Sequence, residues 1–289
     1  MIRLFFCPLV LSVSLFAGAL NAQTVGAMRT GAGAPIMPKF EWKRDIVATV
    51  FWVGEQPTQN NPTPNVGSSW DPKWMTNFGG YDDPAPENRS PEFRPAGFVP
   101  RLNPFYVALP YNDVINHATT KDEASKVIPW FRQTFKRHGK SVCHNRWIAI
   151  RHEGRVCYAQ WSDCGPFTTD DASYVFGNTA PVTTGNGGAG LDLAPAVRDF
   201  LDFTSGKRCD WRFVEESEVP DGPWKSYGTN NPFSKHWQKD GDLGPVTLYV
   251  SKGGSSGSSV QKSSGIIRGN KIVSSQSGLP GFTMRKVSK

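Results

Sequence analysis

The sequence predicts a mainly β protein with long loops and two short helices. Apolar and aromatic runs of strand length recur between residues 46 and 214, and turn-forming segments separate them. Glycine and proline are abundant, with 29 and 23 copies in 289 residues, which indicates many turns and long connections. Hydrophobic residues make up 38% of the chain, which is enough for a packed core.

Residues 1–22 have the features of a secretory signal peptide. Arg3 supplies a positive charge, Leu4–Leu20 is almost wholly apolar or small, and small residues up to Ala22 offer a cleavage site. A membrane anchor is the alternative, but the apolar run of about 17 residues is at the short limit for spanning, and no charge cluster follows it. We therefore expect cleavage after Ala22, a secreted or periplasmic location, and no stable membrane insertion of the mature chain.

Two strands are predicted in the first half of the mature chain. Residues 23–44 are small and aperiodic, so we expect a flexible lead-in to a domain over residues 45–225. Ile46–Val53 is the first predicted strand and Phe105–Leu109 is the second. Residues 54–104 are rich in proline and in aromatic residues, which favours an ordered, aromatic-rich loop between the two strands.

Helical periodicity is clearest over Lys121–Lys136, where apolar residues recur at spacings of three and four. Pro129 lies inside this run, so a helix is expected to begin near it rather than to cross it. Residues 195–203 (PAVRDFLDF) predict the second short helix, with Pro195 in its first turn.

A hairpin is predicted from residues 146–150 and 155–161, which flank a turn at residues 152–154. Trp211–Val214 is the last clear strand. Residues 226–289 are polar, partly of low complexity and basic at the end. We expect a mostly disordered basic tail there, with one short apolar stretch at Val246–Val250.

Export would place the cysteines in an oxidising compartment. Removal of the leader, with Cys7, leaves Cys143, Cys157, Cys164 and Cys209, an even number that predicts two disulfides. Zinc is the alternative, but the chain has no Cys-x-x-Cys or His-x-x-x-His spacing. Antiparallel pairing of the hairpin would bring Cys143 nearly opposite Cys164, which favours Cys143–Cys164 and Cys157–Cys209 among the three pairings.

The net charge of +7 suggests contact with anionic polymers, but the basic residues are scattered and no nucleic-acid-reading motif is present. We therefore expect no nucleic-acid partner. The glycine-rich segment 177–190 lacks the strand and helix context of a dinucleotide site and the Gly-Lys-Ser/Thr of a phosphate loop. The histidines have no paired spacing. No cofactor and no metal are expected.

Asp163 and Asp192 are the candidate catalytic residues. Asp163 ends a hairpin strand in SDCGPF, and Asp192 lies where GLDLAP enters a helix, so the two carboxylates could converge. Glycoside cleavage needs such a pair, with one carboxyl protonated and the other ionised. Each residue also has a structural alternative. Asp192 could cap the 195–203 helix, and Asp163 could stabilise the turn that follows it.

The run "SDCGPF…GLDLAPAVRDFL" resembles the double-psi β-barrel of the rare lipoprotein A family, whose pattern is roughly Asp-Arg-Gly-Pro-Phe, then Ile-Asp-Leu-Ser and a short helix. Upstream, "FYVALPYND" is similar to that family's strand ending in Leu-Pro-Phe-Gly, and "ATVFWVGE" is similar to its first strand. The four segments keep their order over about residues 46–215. The resemblance implies a six-stranded double-psi β-barrel, which expansins and barwin-like proteins share.

The resemblance also implies a groove that binds cell-wall polysaccharide such as peptidoglycan. Asp163 matches the general acid and base of lytic members, which cleave glycans by intramolecular attack of a sugar hydroxyl, and Asp192 matches the second aspartate. Two positions depart from the pattern: Tyr106 stands where lytic members have a histidine, and Cys164 replaces the arginine after the aspartate. The sequence therefore leaves open a lytic transglycosylase or a non-catalytic, expansin-like or barwin-like module, and we expect a monomer.

Aromatic side chains near these segments are the candidate sugar-stacking residues, because rings commonly line carbohydrate-binding grooves. Core packing is the alternative for each of them. The candidates are Trp52, Trp70, Tyr106 and Tyr111.

Overall fold

The computed structural model describes residues 39–58 and 61–234, together with the backbone strands at 246–251, 260–268 and 271–274. The predicted signal peptide and most of the predicted lead-in lie outside the described residues. No helix within the described ranges is long and apolar enough to cross a membrane.

The fold is mainly β, as predicted, and its centre is a closed barrel of six strands. Residues 39–234 contain eight strands: β1 (Lys43–Val50), β2 (Tyr106–Leu109), β3 (Val114–Ile115), β4 (Thr119–Thr120), β5 (Trp147–His152), β6 (Arg155–Cys164), β7 (Leu191–Leu193) and β8 (Arg208–Phe213). The barrel order is β1-β7-β2-β6-β5-β8, and β3 and β4 form a separate two-stranded sheet. Closure leaves the barrel without free sheet edges.

Parallel and antiparallel pairs are arranged symmetrically around the barrel. The pairs β1–β7 and β2–β6 are parallel, and the other four pairs are antiparallel. If β1, β2 and β5 are exchanged with β6, β7 and β8 respectively, every neighbour relation is recovered. The barrel therefore has the pairing pattern of two interlocked three-stranded halves.

Aromatic residues fill the barrel interior. Trp161 of β6 and Trp211 of β8 are fully buried on the interior face, whereas Trp147 of β5 lies on the outer face and packs against Phe233. The Trp211 indole donates to the Tyr174 hydroxyl at 2.7 Å, so its polar group is satisfied inside the core. Most of the aromatic residues therefore serve packing.

Among the residues that the structure describes there are five short helices rather than the two predicted, and most are single turns: α1 (Trp74–Phe78), α2 (Ala124–Val127), α3 (Phe131–Thr134), α4 (Ala172–Val175) and α5 (Pro195–Leu201). Four 3-10 turns cover Pro86–Asn88, Gly185–Gly187, Glu216–Glu218 and Pro223–Lys225. The periodic segment 121–136 forms α2 and α3 with a break at Ile128–Pro129, because proline cannot donate the hydrogen bond that a continuous helix needs there.

The predicted hairpin is present as β5 and β6. Its turn residues Glu153 and Gly154 have φ values of 44° and 82°, the left-handed pair that suits the twist of a two-residue hairpin. The strand β6 runs three residues beyond the predicted end, to Cys164, and so carries Asp163 within the sheet.

The described residues of the 54–104 segment are ordered, and aromatic side chains attach them to the core. Trp74 and Phe78 of α1 and Phe98 further along are buried. Trp74 contacts Tyr106 of β2 with ring centroids 5.1 Å apart. The segment therefore covers one end of β2 and belongs to the same core.

The predicted disulfides are absent, since all four described cysteines are free thiols. For Cys157 and Cys209 the register gives the reason: Cys157 of β6 and Cys209 of β8 are separated by β5, which pairs with both strands. Two sheet spacings amount to roughly 9–10 Å, beyond the reach of a disulfide. Cys143 and Cys164 lie near enough for Cys164 to contribute to the raised pKa of Cys143, whose largest cause is burial.

The C-terminal range contains three strands where the sequence predicts mostly disordered chain: β9 (Val246–Ser251), β10 (Val260–Arg268) and β11 (Lys271–Ser274). They form an antiparallel sheet in the order β11-β10-β9. The strand β9 coincides with the apolar stretch at Val246–Val250. Apart from β9, β10 and β11, the expected tail beyond residue 234 lies outside the described residues.

Candidate functional site

The two candidate aspartates lie in one row across four barrel strands. Thr49 of β1 pairs with Asp192 of β7, Asp192 pairs with Ala108 of β2, and Ala108 pairs with Asp163 of β6. Partners in register point to the same face of a sheet. Leu191 and Leu193 flank Asp192 and are fully buried, so the row faces away from the barrel interior.

A β-bulge gives Asp163 its place in this row. Val107 pairs with Trp161, but the next residue of β2, Ala108, pairs with Asp163, so Ser162 is the extra residue in β6. Without the bulge, Ser162 would stand opposite Ala108 and Asp163 would turn to the other face. The bulge therefore brings the two carboxyls to either side of one alanine.

The row opens into a cavity of about 620 Å³. Its lining includes Asp163, Asp192 and a third acid, Glu55. The floor between the aspartates is made of small residues, because Ala108 stands between them and a Cβ on Gly165 would lie 3.2 Å from Asp192 Oδ2. The site is thus an acidic groove, a name we keep for this cavity.

Asp163 is buried and organises the loop above it. Its Oδ1 accepts hydrogen bonds from the Ser69 N–H at 2.7 Å and the Cys164 N–H at 2.8 Å. Burial raises the pKa of Asp163 to about 6, although the hydrogen bonds from Ser69 and Cys164 oppose this rise. The predicted role in the turn is therefore real, and the carboxyl is also part of the groove wall.

Asp192 is partly exposed and accepts a short hydrogen bond from the Thr49 hydroxyl. Burial raises the pKa of Asp192 to about 7; the Thr49 hydrogen bond opposes the rise, while the charges of Asp163 and Glu55 add to it. The N-cap of α5 is Ala194, which has no side-chain cap bond, so Asp192 does not cap this helix. Its side chain serves the groove.

Glu55 is a groove residue that the sequence analysis missed. It follows β1 and is 9% exposed, and its Oε2 accepts from the Asn65 amide at 2.8 Å. Burial raises the pKa of Glu55, and hydrogen bonds from Asn61, Trp52 and Asn65 oppose the rise. The signal available in the sequence was its position shortly after a strand that leads into the site.

Phe167 is the second residue that was missed. Its side chain is 55% exposed, it lines the acidic groove, and its φ is 57°. A bulky residue in the left-handed region is strained, and such strain is often found at functional sites. The ring lies against Gly185, where an added Cβ would come within 2.9 Å of it. Phe167 therefore presents a partly exposed ring in the same groove as the two aspartates.

The four predicted sugar-stacking residues do not line the acidic groove. Tyr106 and Tyr111 are core residues with 1% and 0% exposure, so their rings offer no face to a ligand. Trp70 packs against His144 and Trp161, and its indole donates to Asn112. Trp52 donates to the Tyr81 hydroxyl at 3.0 Å.

The two departures from the family pattern have structural roles. The Tyr106 hydroxyl donates to Asp82 at 2.8 Å and accepts from the Val53 N–H at 2.9 Å, which joins β2 to the 54–104 segment. The Cys164 thiol donates to the Tyr111 carbonyl at 3.1 Å. Neither side chain adds a base or a positive charge to the groove.

Metal ligands do not cluster in the part of the chain that the structure describes, where no group of three His, Cys, Asp or Glu side chains could hold an ion. The carboxyls of the groove can supply proton transfer. Comparison of the chain with protein-family models, with curated proteins and with solved structures finds no match.

Proposed function

We propose that this protein is an exported double-psi β-barrel that binds cell-wall polysaccharide in the acidic groove and cleaves it as a lytic transglycosylase. The observation that carries the proposal is the row in which Asp163 and Asp192 flank Ala108. The exchange symmetry of the six strands and their two parallel pairs supports the double-psi assignment.

The carboxyls of the groove suit general acid–base chemistry near neutral pH. A carboxyl with an ordinary pKa is almost fully ionised there, whereas burial raises the pKa of Asp163 to about 6 and that of Asp192 to about 7. Asp163 donates its proton to the leaving glycosidic oxygen. It then accepts the proton of the sugar hydroxyl that attacks the anomeric carbon, so the step closes an anhydro ring without water.

Asp192 supports this reaction from the other side of Ala108. While it is protonated it adds no negative charge next to Asp163, and its hydroxyl can donate to a sugar oxygen. The Thr49 hydroxyl donates to Oδ1 of the Asp192 carboxyl and fixes the orientation of this carboxyl. The exposed ring of Phe167 provides an apolar face for a sugar ring at the edge of the groove.

A non-catalytic binding module is the second candidate, and one observation favours it. Asp163 Oδ1 is already engaged by two backbone N–H groups, which is what a purely structural aspartate would show. In that case the groove would hold a glycan without cleaving it.

The test is incubation of the purified protein with insoluble peptidoglycan. Pelleting measures binding, and mass spectrometry of the supernatant detects anhydro-sugar products. We expect both from the wild type. Asp163→Asn should still pellet but form product at least about 100-fold more slowly, because general acid–base catalysis contributes at least that factor.

Asp122→Asn is the matched control, since Asp122 is exposed and lies outside the acidic groove. It should bind and cleave like the wild type. Pelleting by the wild type without any product would favour the binding module. If the wild type shows no pelleting and forms no product, the proposed function is refuted.

A further inference from the structure

A second cavity, of about 480 Å³, lies at the start of β1 and has the opposite charge character. Its charged lining residues are Lys43, Arg44 and Arg208 with one acid, Asp45, so three positive charges face one negative charge. We call it the basic cavity. The positive charges of the basic cavity would attract and hold an anionic group.

Lys43 is built into the wall of the basic cavity. Its ammonium donates to the Gly177 carbonyl at 2.5 Å and lies 5.5 Å from the Tyr174 ring centroid and 5.6 Å from the Trp211 ring centroid. Burial lowers the pKa of Lys43, and the charge of Asp171 opposes this effect. An ammonium has three donors, so the group can bond an incoming anion while it keeps its contact with Gly177.

The two arginines stand at the rim. One extra residue between Lys43 and Ile46 makes a bulge in β1, and bulges redirect side chains. Arg44 lies in this bulge, is 70% exposed, and comes only within 4.0 Å of Asp210. Arg208 is 57% exposed and pairs with Asp45 at 3.0 Å. Both guanidinium groups can therefore reach a ligand in the cavity.

The basic cavity adjoins the acidic groove. Asn186 lines the groove, and the next residues, Gly187 and Gly188, line the basic cavity. On β1, Val47 borders the basic cavity and Thr49 borders the groove, a separation of roughly 7 Å along a strand. One polymer can therefore occupy both cavities at the same time.

We propose that the basic cavity binds a carboxylate or phosphate group carried by the polysaccharide whose backbone occupies the acidic groove. The substrate class is then an anionic glycan, and this inference rests on the proposed function. The acidic groove disfavours anionic substituents next to Asp163 and Asp192, while the basic cavity favours them further along the chain. The two cavities together would fix the position of the glycan relative to the cleavage site.

The test compares three soluble polymers: peptide-free peptidoglycan strands with free carboxylates, the same strands after reduction of the carboxyls, and a wall glycan with phosphodiester groups. The proteins are the wild type and Lys43→Met, which keeps a long apolar stem without the charge. Lys126→Met is the control, because Lys126 is exposed and lies outside both cavities. Dissociation constants are measured by isothermal titration calorimetry at low salt.

We expect the wild type to bind one of the charged polymers about tenfold more tightly than the reduced strands, which is the effect of one charge-assisted contact. Lys43→Met should remove that preference, and Lys126→Met should keep it. The polymer that is preferred tells whether the group is a carboxylate or a phosphate. Equal binding of charged and reduced strands, or a preference that survives in Lys43→Met, would overturn the inference and leave the proposed function standing.

A titration with inorganic phosphate, followed by amide NMR, tests the anion site without any glycan. Shifts at the Gly187 and Gly188 amides that disappear in Lys43→Met are expected. Their absence overturns the inference whatever the glycans do. If phosphate shifts the Gly187 and Gly188 amide signals but no glycan binds, the proposed function and the polysaccharide part of this inference are refuted instead.

Discussion

Replacement of Asp192 by asparagine is expected to stabilise the protein at pH 8 and to leave its stability almost unchanged at pH 4. The carboxyl pKa is raised from 3.8 to about 7 in the folded protein, chiefly by burial. In the unfolded chain the same carboxyl ionises near its ordinary pKa. Ionisation therefore costs more free energy in the folded state than in the unfolded state.

The sign follows from this difference. Because the folded-state pKa is raised, the neutral Asp192 contributes stability that is fully present below about pH 4 and is lost as the pH rises through about 7. A rise from 3.8 to about 7 corresponds to roughly 4 kcal/mol above pH 8. Partial exposure of the side chain allows solvent screening, so we expect about 2–3 kcal/mol.

Asparagine is the right substitution because it is neutral at every pH and keeps an oxygen that can accept from Thr49. The measurement is urea unfolding followed by tryptophan fluorescence at pH 4, 6 and 8. Asp192→Asn should gain about 2–3 kcal/mol in the free energy of unfolding at pH 8 and close to nothing at pH 4.

Asp122→Asn serves as the control here too, and its stability should follow the wild type at all three pH values. The reasoning is refuted if Asp192→Asn is no more stable than the wild type at pH 8. It is equally refuted if the gain has the same size at pH 4, because a pH-independent gain would not come from ionisation.

Three further predictions follow from the site and the register. Phe167→Ala should weaken glycan binding about tenfold, while Phe167→Tyr should keep it. Because the ring is 55% exposed, the melting temperature of Phe167→Ala should stay within a few degrees of the wild type. Unchanged binding by Phe167→Ala would exclude ring stacking. Cleavage that begins with protonated Asp163 should slow above about pH 6, because the pKa of this carboxyl is raised to about 6 by burial; a rate that increases from pH 6 to pH 8 would contradict the role of Asp163 as acid. Alkylation of the denatured protein without reductant should modify both Cys157 and Cys209, and a linked peptide pair in mass spectrometry would mean that the register of β5 is wrong.

Local pattern was enough for the longer elements. The hairpin of β5 and β6, the helix at Pro195 and the interruption at Pro129 all follow from side-chain alternation, proline and turn residues within a few positions of each other. The three-residue strand β7 (Leu191–Leu193) was not predicted, because its length gives no alternation to detect and only pairing with β1 and β2 defines it. The disulfide prediction failed for a similar reason, since the position of β5 between β6 and β8 is a property of the sheet order.

The sequence by itself determined the mainly β class and the turn of the hairpin, and it indicated Asp163 and Asp192 as the candidate acids. Tertiary structure alone decided that Asp163 and Asp192 share one face, since this depends on a bulge at Ser162 and on β2 lying between β6 and β7. It also decided that Tyr106 and Tyr111 are core residues and that Glu55 and Phe167 border the groove. Burial and cross-strand register arise from contacts between residues far apart in the chain, and no short stretch of sequence contains them.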